Sequence, residues 1–255
     1  MCKQGKVRKF VSEPNGVKFT QCISALSSDN RTDNINQLSI INPMSDLALQ
    51  RIREAKEKRL IHLDLGMCGI TELPNELFEL TWLENLILDN KISENHGSKN
   101  NIEHLSSQFS KLTHLKKLEA SGEYANINKI SDLSPLAALV NLQEINISYT
   151  QVHDLGALKA LVNLQEINVS YTQVRDLGAL ATLINLREIN ISNTQVSDLS
   201  PLEGLSNLRN LYISRTKVSD LNPLKALMTL HIIGGSYTQG KRIKIPAFFR
   251  DTDLT

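Results

Sequence analysis

The sequence predicts an α/β solenoid: short parallel strands on one side of a stack of coils, short helical or 3₁₀ returns on the other. Three observations carry this prediction. A 22-residue unit recurs along the second half of the 255-residue chain. Each unit opens with a period-2 apolar pair and closes with apolar residues spaced by three. The composition, 41% hydrophobic and 22% charged, belongs to neither a disordered nor a membrane protein.

The repeat is explicit. LQEINISYTQVHDLGALKALVN (142–163) and LQEINVSYTQVRDLGALATLIN (164–185) differ at five positions, and units from Leu186 and Leu208 continue the step of 22. A small serine opens each turn at Ser148, Ser170, Ser192, Ser214 and Ser236, so the step is expected to run on through residues 236–239. In the second unit Ile167 and Val169 flank a polar Asn168, which predicts a short strand with one buried face. Val174, Leu177, Leu180 and Leu183 are three apart, which suits a tight 3₁₀ return. One such coil cannot bury its apolar edge alone, so neighbouring coils must stack.

The run Leu142-Gln-Glu-Ile145-Asn-Ile147-Ser-Tyr-Thr150-Gln-Val152 resembles the leucine-rich repeat pattern LxxLxLxxN/C/TxL, in its 22-residue class. The following Asp198-Leu199-Ser-Pro201-Leu202 resembles internalins and the leucine-rich regulator of a type-one protein phosphatase. Leu47 to Ala55 followed by IHLDLGMCGITELP (61–74) resembles bacterial leucine-rich proteins related to the Roco group. The resemblance implies a leucine-rich-repeat solenoid: a curved right-handed coil, parallel β-sheet on the concave side and short helical or 3₁₀ returns on the convex side.

The same template places the earlier units. Leu60, Leu63, Leu65, Ile70, Leu73, Leu77 and Leu80 form the first. Leu83, Leu86 and Leu88 open the second, interrupted by the polar insertion 91–101 before Ile102 and Leu105. Leu115 and Leu118 open the third, which bulges through 122–126 before Ile130. Residues 60–240 therefore hold about seven units and a degenerate eighth from Leu230, in a rod on the order of 35 Å. Solenoid ends need caps. Residues 45–59 are expected to be a capping helix with Ser45 as N-cap, 1–44 an N-terminal extension with a β-hairpin about Pro14-Asn15-Gly16, and 241–255 a C-terminal cap or tail.

Composition narrows the function classes. The formal net charge of +1 supplies no global field for nucleic acid or an anionic membrane. Aromatics at 5% are few for a stacking groove. Cys2, Cys22 and Cys68 are an odd, scattered set, which predicts a reducing, cytoplasmic setting rather than a disulfide framework. MCKQGKVRKF has no apolar core, so no secretory signal is expected, and no run reaches the roughly 18 apolar residues of a span.

Chemistry-bearing motifs dissolve on inspection. Gly235-Ser-Tyr-Thr-Gln-Gly240-Lys241-Arg242 fits GxxxxGK, but Arg242 stands where the magnesium hydroxyl belongs and Pro246 blocks the helix. Asp132, Asp154, Asp176, Asp198 and Asp220 supply one carboxylate per coil, which suits capping of the return helices better than calcium. Thr150, Thr172, Thr194 and Thr216, with Cys68 in the equivalent place, are expected to turn inward and satisfy carbonyls between coils. The histidines recur at no ligand spacing. The Asn-x-Ser triplets at Asn146, Asn168 and Asn190 read as products of the repeat in a bacterial or cytosolic chain. No catalysis, cofactor or metal is expected.

What remains is the exposed strand face. Gln143, Glu144, Asn146, Ser148, Tyr149 and their equivalents are expected to face solvent. Stacked rows then give the candidate binding residues: Glu144, Glu166 and Glu188; Asn146, Asn168, Asn190 and Tyr212; Tyr149, Tyr171, Arg215 and Tyr237. Tyrosine and arginine favour protein interfaces. The glutamate row, partly relieved by Lys117, Arg187 and Arg209, calls for a basic segment on a partner. The expected function is a monomeric, non-catalytic protein–protein interaction module binding through the concave face. The alternative is a regulatory fragment of a larger signalling protein such as a Roco-like GTPase.

Overall fold

Alternation over three residues is all the strand each coil needs, because pairing with the next coil satisfies its backbone. The computed structural model describes residues 43–90, 98–123, 128–234 and 250–251, all within the unit 42–255. Eight coil strands pair in parallel and in chain order: β1 His62–Asp64, β2 Asn85–Ile87, β3 Lys117–Glu119, β4 Glu144–Asn146, β5 Glu166–Asn168, β6 Glu188–Asn190, β7 Asn210–Tyr212 and β8 His231–Ile233. In every one the central residue is buried and its two neighbours face outward, as in Ile167 between Glu166 and Asn168. A ninth short strand, β9 Arg250–Asp251, extends the sheet from β8, inside the segment expected to be a cap or tail.

The returns are 3₁₀ turns, among them Gly156–Ala160, Gly178–Leu180 and Ser200–Leu202. Val174, Leu177, Leu180 and Leu183 are all buried in one continuous core with their counterparts, including Leu155 and Leu199. In the two earliest returns, Asn75–Glu79 and Ser107–Lys111, Phe109 takes the leucine place, while Phe78 is buried beside Leu77, which keeps it. Phe78 and Phe109 meet edge to face with centroids 5.6 Å apart.

The predicted capping helix is present as α1, Pro43–Glu57, and buries Ala48, Ile52 and Ala55 on the first coil. It begins two residues before the expected Ser45 cap, because proline fits the first helical turn, where its missing N–H costs nothing. It ends in a left-handed Arg59 (φ 50°), with Leu60 N–H donating to Ala55 C=O at 2.9 Å. The Arg59 guanidinium then lies 4.7 Å from the Trp82 ring centre. Leu60, placed in the core by the repeat template, is instead 39% exposed, since no preceding coil covers it.

One correction concerns the step. From β4 to β7 paired residues are 22 apart (Glu144, Glu166, Glu188, Asn210), but β8 pairs His231 with Asn210, 21 on. The constant step expected to carry the repeat to Ser236 is thus broken at β8. Gly234 follows with φ +76°, where a Cβ would fall 1.6 Å from Ser214 Oγ. The hairpin about residues 14–16 and the GxxxxGK at 235–242 lie outside the described residues.

Side chains lock the coils. Asp132, Asp154, Asp176, Asp198 and Asp220 each accept from the N–H two residues on, at 2.7–2.8 Å, as the capping expectation required, though from just outside the 3₁₀ N-cap. A second column was not read from the sequence. Asn141, Asn163, Asn185 and Asn207 each donate to a carbonyl of the preceding coil, as Asn163 does to Val140 at 2.8 Å.

Candidate functional site: the concave sheet face

The expected register holds for the strand residues. Glu144, Glu166 and Glu188 pair in adjacent strands, as do Asn146, Asn168, Asn190 and Tyr212. Neighbouring strands stand about 4.8 Å apart, so three carboxylates form one row. With Lys117, Glu119 and the asparagines they line a depression of about 160 Å³.

The row is unevenly neutralised. Lys117 Nζ sits 2.7 Å from Glu144 and 3.3 Å from Glu119, and these carboxylates hold its ammonium above the usual lysine range. Asn210 Nδ2 donates to Glu188 at 3.1 Å. Glu166 is exposed, and its carboxylate makes no hydrogen bond or ion pair among the described residues. Partial desolvation, then the charges of Glu144 and Glu188, push its carboxyl upward against the pull of Lys117 and Arg187. Arg209, expected to relieve the row, turns away: its guanidinium donates to Ser206 and Leu208 carbonyls and to Thr229 Oγ1.

The asparagine row is partly committed to the fold. Asn146, Asn168 and Asn190 accept the N–H of Ser148, Ser170 and Ser192 at 3.0–3.1 Å. Asn146 also donates to Glu119 at 2.8 Å. Ser148 and Ser170, expected to face solvent, are buried at 5% exposure, because the chain has already turned inward after the strand.

At that turn Tyr149, Tyr171, Asn193 and Arg215 all adopt left-handed backbone, with φ of 54–57°. Such conformations are costly for a tyrosine or arginine. The conformation aims the side chains outward, and Tyr149 and Tyr171 stack with centroids 4.1 Å apart at 12°. Tyr237, the last of the predicted row, lies outside the described residues.

The inward position behaves differently from expectation. Thr150, Thr172, Thr194 and Thr216 donate to the carbonyl three residues back in their own coil, at 2.6–2.8 Å, not across coils. Bridging between coils falls to Asn100 and Asn128. Asn100 is fully buried. Its Oδ1 accepts from Cys68 and Ile70 N–H, and its Nδ2 donates to Leu65 and Leu88 carbonyls. Asn128 accepts from Ile102 N–H at 3.1 Å. Both stand two residues before an apolar anchor (Ile102, Ile130), where the regular 22-residue units place Thr150 before Val152; counting back from those isoleucines finds them. Cys68 is buried and burial raises its thiol pKa, in keeping with a structural role.

Among the described residues no three or more His, Cys, Asp or Glu side chains gather as a metal site, and no helix is long and apolar enough to cross a membrane.

The family described as leucine-rich repeats (2 copies) matches residues 140–182 and 184–226. No curated protein matches the chain in sequence. Among solved structures, an internalin (inlF) from Listeria monocytogenes is similar with a TM-score of 0.64 at 23% identity, over 80% of this chain and 58% of that one. Internalin C2 (inlC2) from the same organism gives 0.64 at 24% identity, over 79% and 86%. A plant peptide hormone receptor, RGFR1 in complex with RGF2, gives 0.50 at 20%, over 66% and 26%. The chain therefore spans little more than half of the first internalin. With its coil geometry, its matched repeats over 140–182 and 184–226 and a fold shared with two internalins, the chain has the leucine-rich-repeat solenoid fold.

Proposed function

We propose that the chain is a non-catalytic recognition module that binds another protein through its concave sheet face. The observation that carries this is the row Glu144–Glu166–Glu188: like charges in register on adjacent strands, with the central carboxylate exposed and unpaired. Such a row is unfavourable in the free protein and is relieved by a basic segment on a partner. The stacked Tyr149–Tyr171 pair supplies apolar contact one turn away. Leucine-rich repeats commonly serve as protein-binding modules, and the similar plant receptor was solved with RGF2 bound, which supports the reading. The reading places the chain as a monomer in the reducing cytoplasm, as its odd cysteine count suggests.

The test uses a partner identified by crosslinking and mass spectrometry. Glu166→Lys with Tyr171→Asn is expected to abolish the complex while leaving circular dichroism unchanged, asparagine being tolerated at positive φ. Lys159→Glu, on the return side, is expected to leave binding intact. Loss of binding with the return-side change alone places the interface elsewhere.

A further inference from the structure

The first outward position of β3 to β6 reads Lys117, Glu144, Glu166, Glu188. The fold already seats one cation on this row, since the Lys117 ammonium bridges Glu119 and Glu144. At the far end Asn210 serves Glu188. One strand beyond Lys117's reach, Glu166 has a carboxylate on each side and no donor of its own among the described residues. Tyr212 stands on β7 in the adjoining row, close enough that, after burial, the charges of Glu188 and Glu166 push its phenol pKa up.

We propose that this depression receives a single arginine side chain from the partner, its guanidinium paired with Glu166 and Glu188 beside the Tyr212 ring. This deepens the concave-face reading and rests on it. Three row glutamates against one lysine leave an excess of negative charge that one further cation only partly offsets. Carboxylates on strands about 4.8 Å apart match a planar fork with several N–H donors better than a point-like ammonium. Guanidinium is also the more weakly hydrated cation and lies well against an aromatic face. One arginine fits rather than two, because Lys117 already occupies Glu144.

The probe is a blocked pentapeptide of glycine and serine with one central arginine, lysine or citrulline, titrated into the ¹⁵N-labelled full chain. Saturable shifts are expected at Glu166, Glu188 and Tyr212, with arginine binding about threefold more tightly than lysine and citrulline not binding. Glu166→Gln should weaken the arginine peptide about three- to fivefold, and Lys117→Met, which frees Glu144, should strengthen it about twofold. Equal binding of citrulline, no change with Glu166→Gln, or shifts centred elsewhere overturns the arginine anchor. If the peptide fails while Glu166→Lys with Tyr171→Asn still breaks the partner complex, the anchor falls and the face stands. If Lys159→Glu breaks that complex, both fall.

Discussion

The two halves of the solenoid build the same coil in different ways. From β4 to β7 every step is 22 residues, whereas His62 to Asn85 is 23, Asn85 to Lys117 is 32 and Lys117 to Glu144 is 27. Strand pairing is continuous across both halves, so the extra residues leave the sheet untouched. The inward polar position differs. Regular coils use threonines that each close their own turn. The irregular coils use buried asparagines that reach into neighbouring coils, with Asn90 and Asn100 exchanging further bonds at 2.8 and 2.6 Å. A short side chain suffices where the backbone repeats its path. Where an insertion lengthens that path, a side chain with both donors and an acceptor holds the turn.

The comparison is most exposed at that position. Asn100→Ala strips partners from two buried N–H groups and two carbonyls, and is expected to cost about 3–5 kcal/mol. Thr172→Val loses one short bond to Val169 C=O and one long one, at 3.5 Å, from Val174 N–H, both within a coil, and should cost about 1 kcal/mol. Urea unfolding of the pair measures both, and similar costs would end the distinction between the halves.

Next in size, Leu177→Ala in the regular half should cost roughly 2–5 kcal/mol, because its fully packed site cannot close over the lost volume. Exposed Gln173→Ala should stay within about 0.5 kcal/mol. Equal melting temperatures for these two would refute the register.

The smallest effect lies on the glutamate row. Because the folded chain raises the Glu166 carboxyl above its ordinary value of 4.5, the folded state binds more protons than the unfolded one between those two values. Stability therefore falls as pH rises through that window and stays lower at neutral pH. Glu166→Gln should raise the melting temperature slightly at pH 7, with the difference gone by about pH 4. A variant less stable than the parent at pH 7 would show that the row is internally compensated.

Much of this was legible in the residues. The alternation Ile167-Asn168-Val169 and the three-spaced Val174, Leu177, Leu180 and Leu183 specify a strand and a tight return by periodicity alone. A fixed step of 22 then puts Glu144, Glu166 and Glu188 side by side without further information. The asparagine column from Asn141 to Asn207 was equally present in the repeat but carried no pattern in hydrophobicity, so only its hydrogen bonds reveal it.

The sequence by itself determined the coil and, from β4 to β7, its register and the order of charges along the sheet, because local periodicity and a near-identical repeat leave one way to stack. Tertiary structure alone decided which of those charges are already answered. Lys117 reaches Glu144 while Arg209 turns to Thr229, and Ser148 goes inside while Tyr149 swings out on a left-handed residue. Side-chain direction depends on the neighbouring coil's free carbonyls and on one backbone angle at the turn, and neither is written in the spacing of leucines.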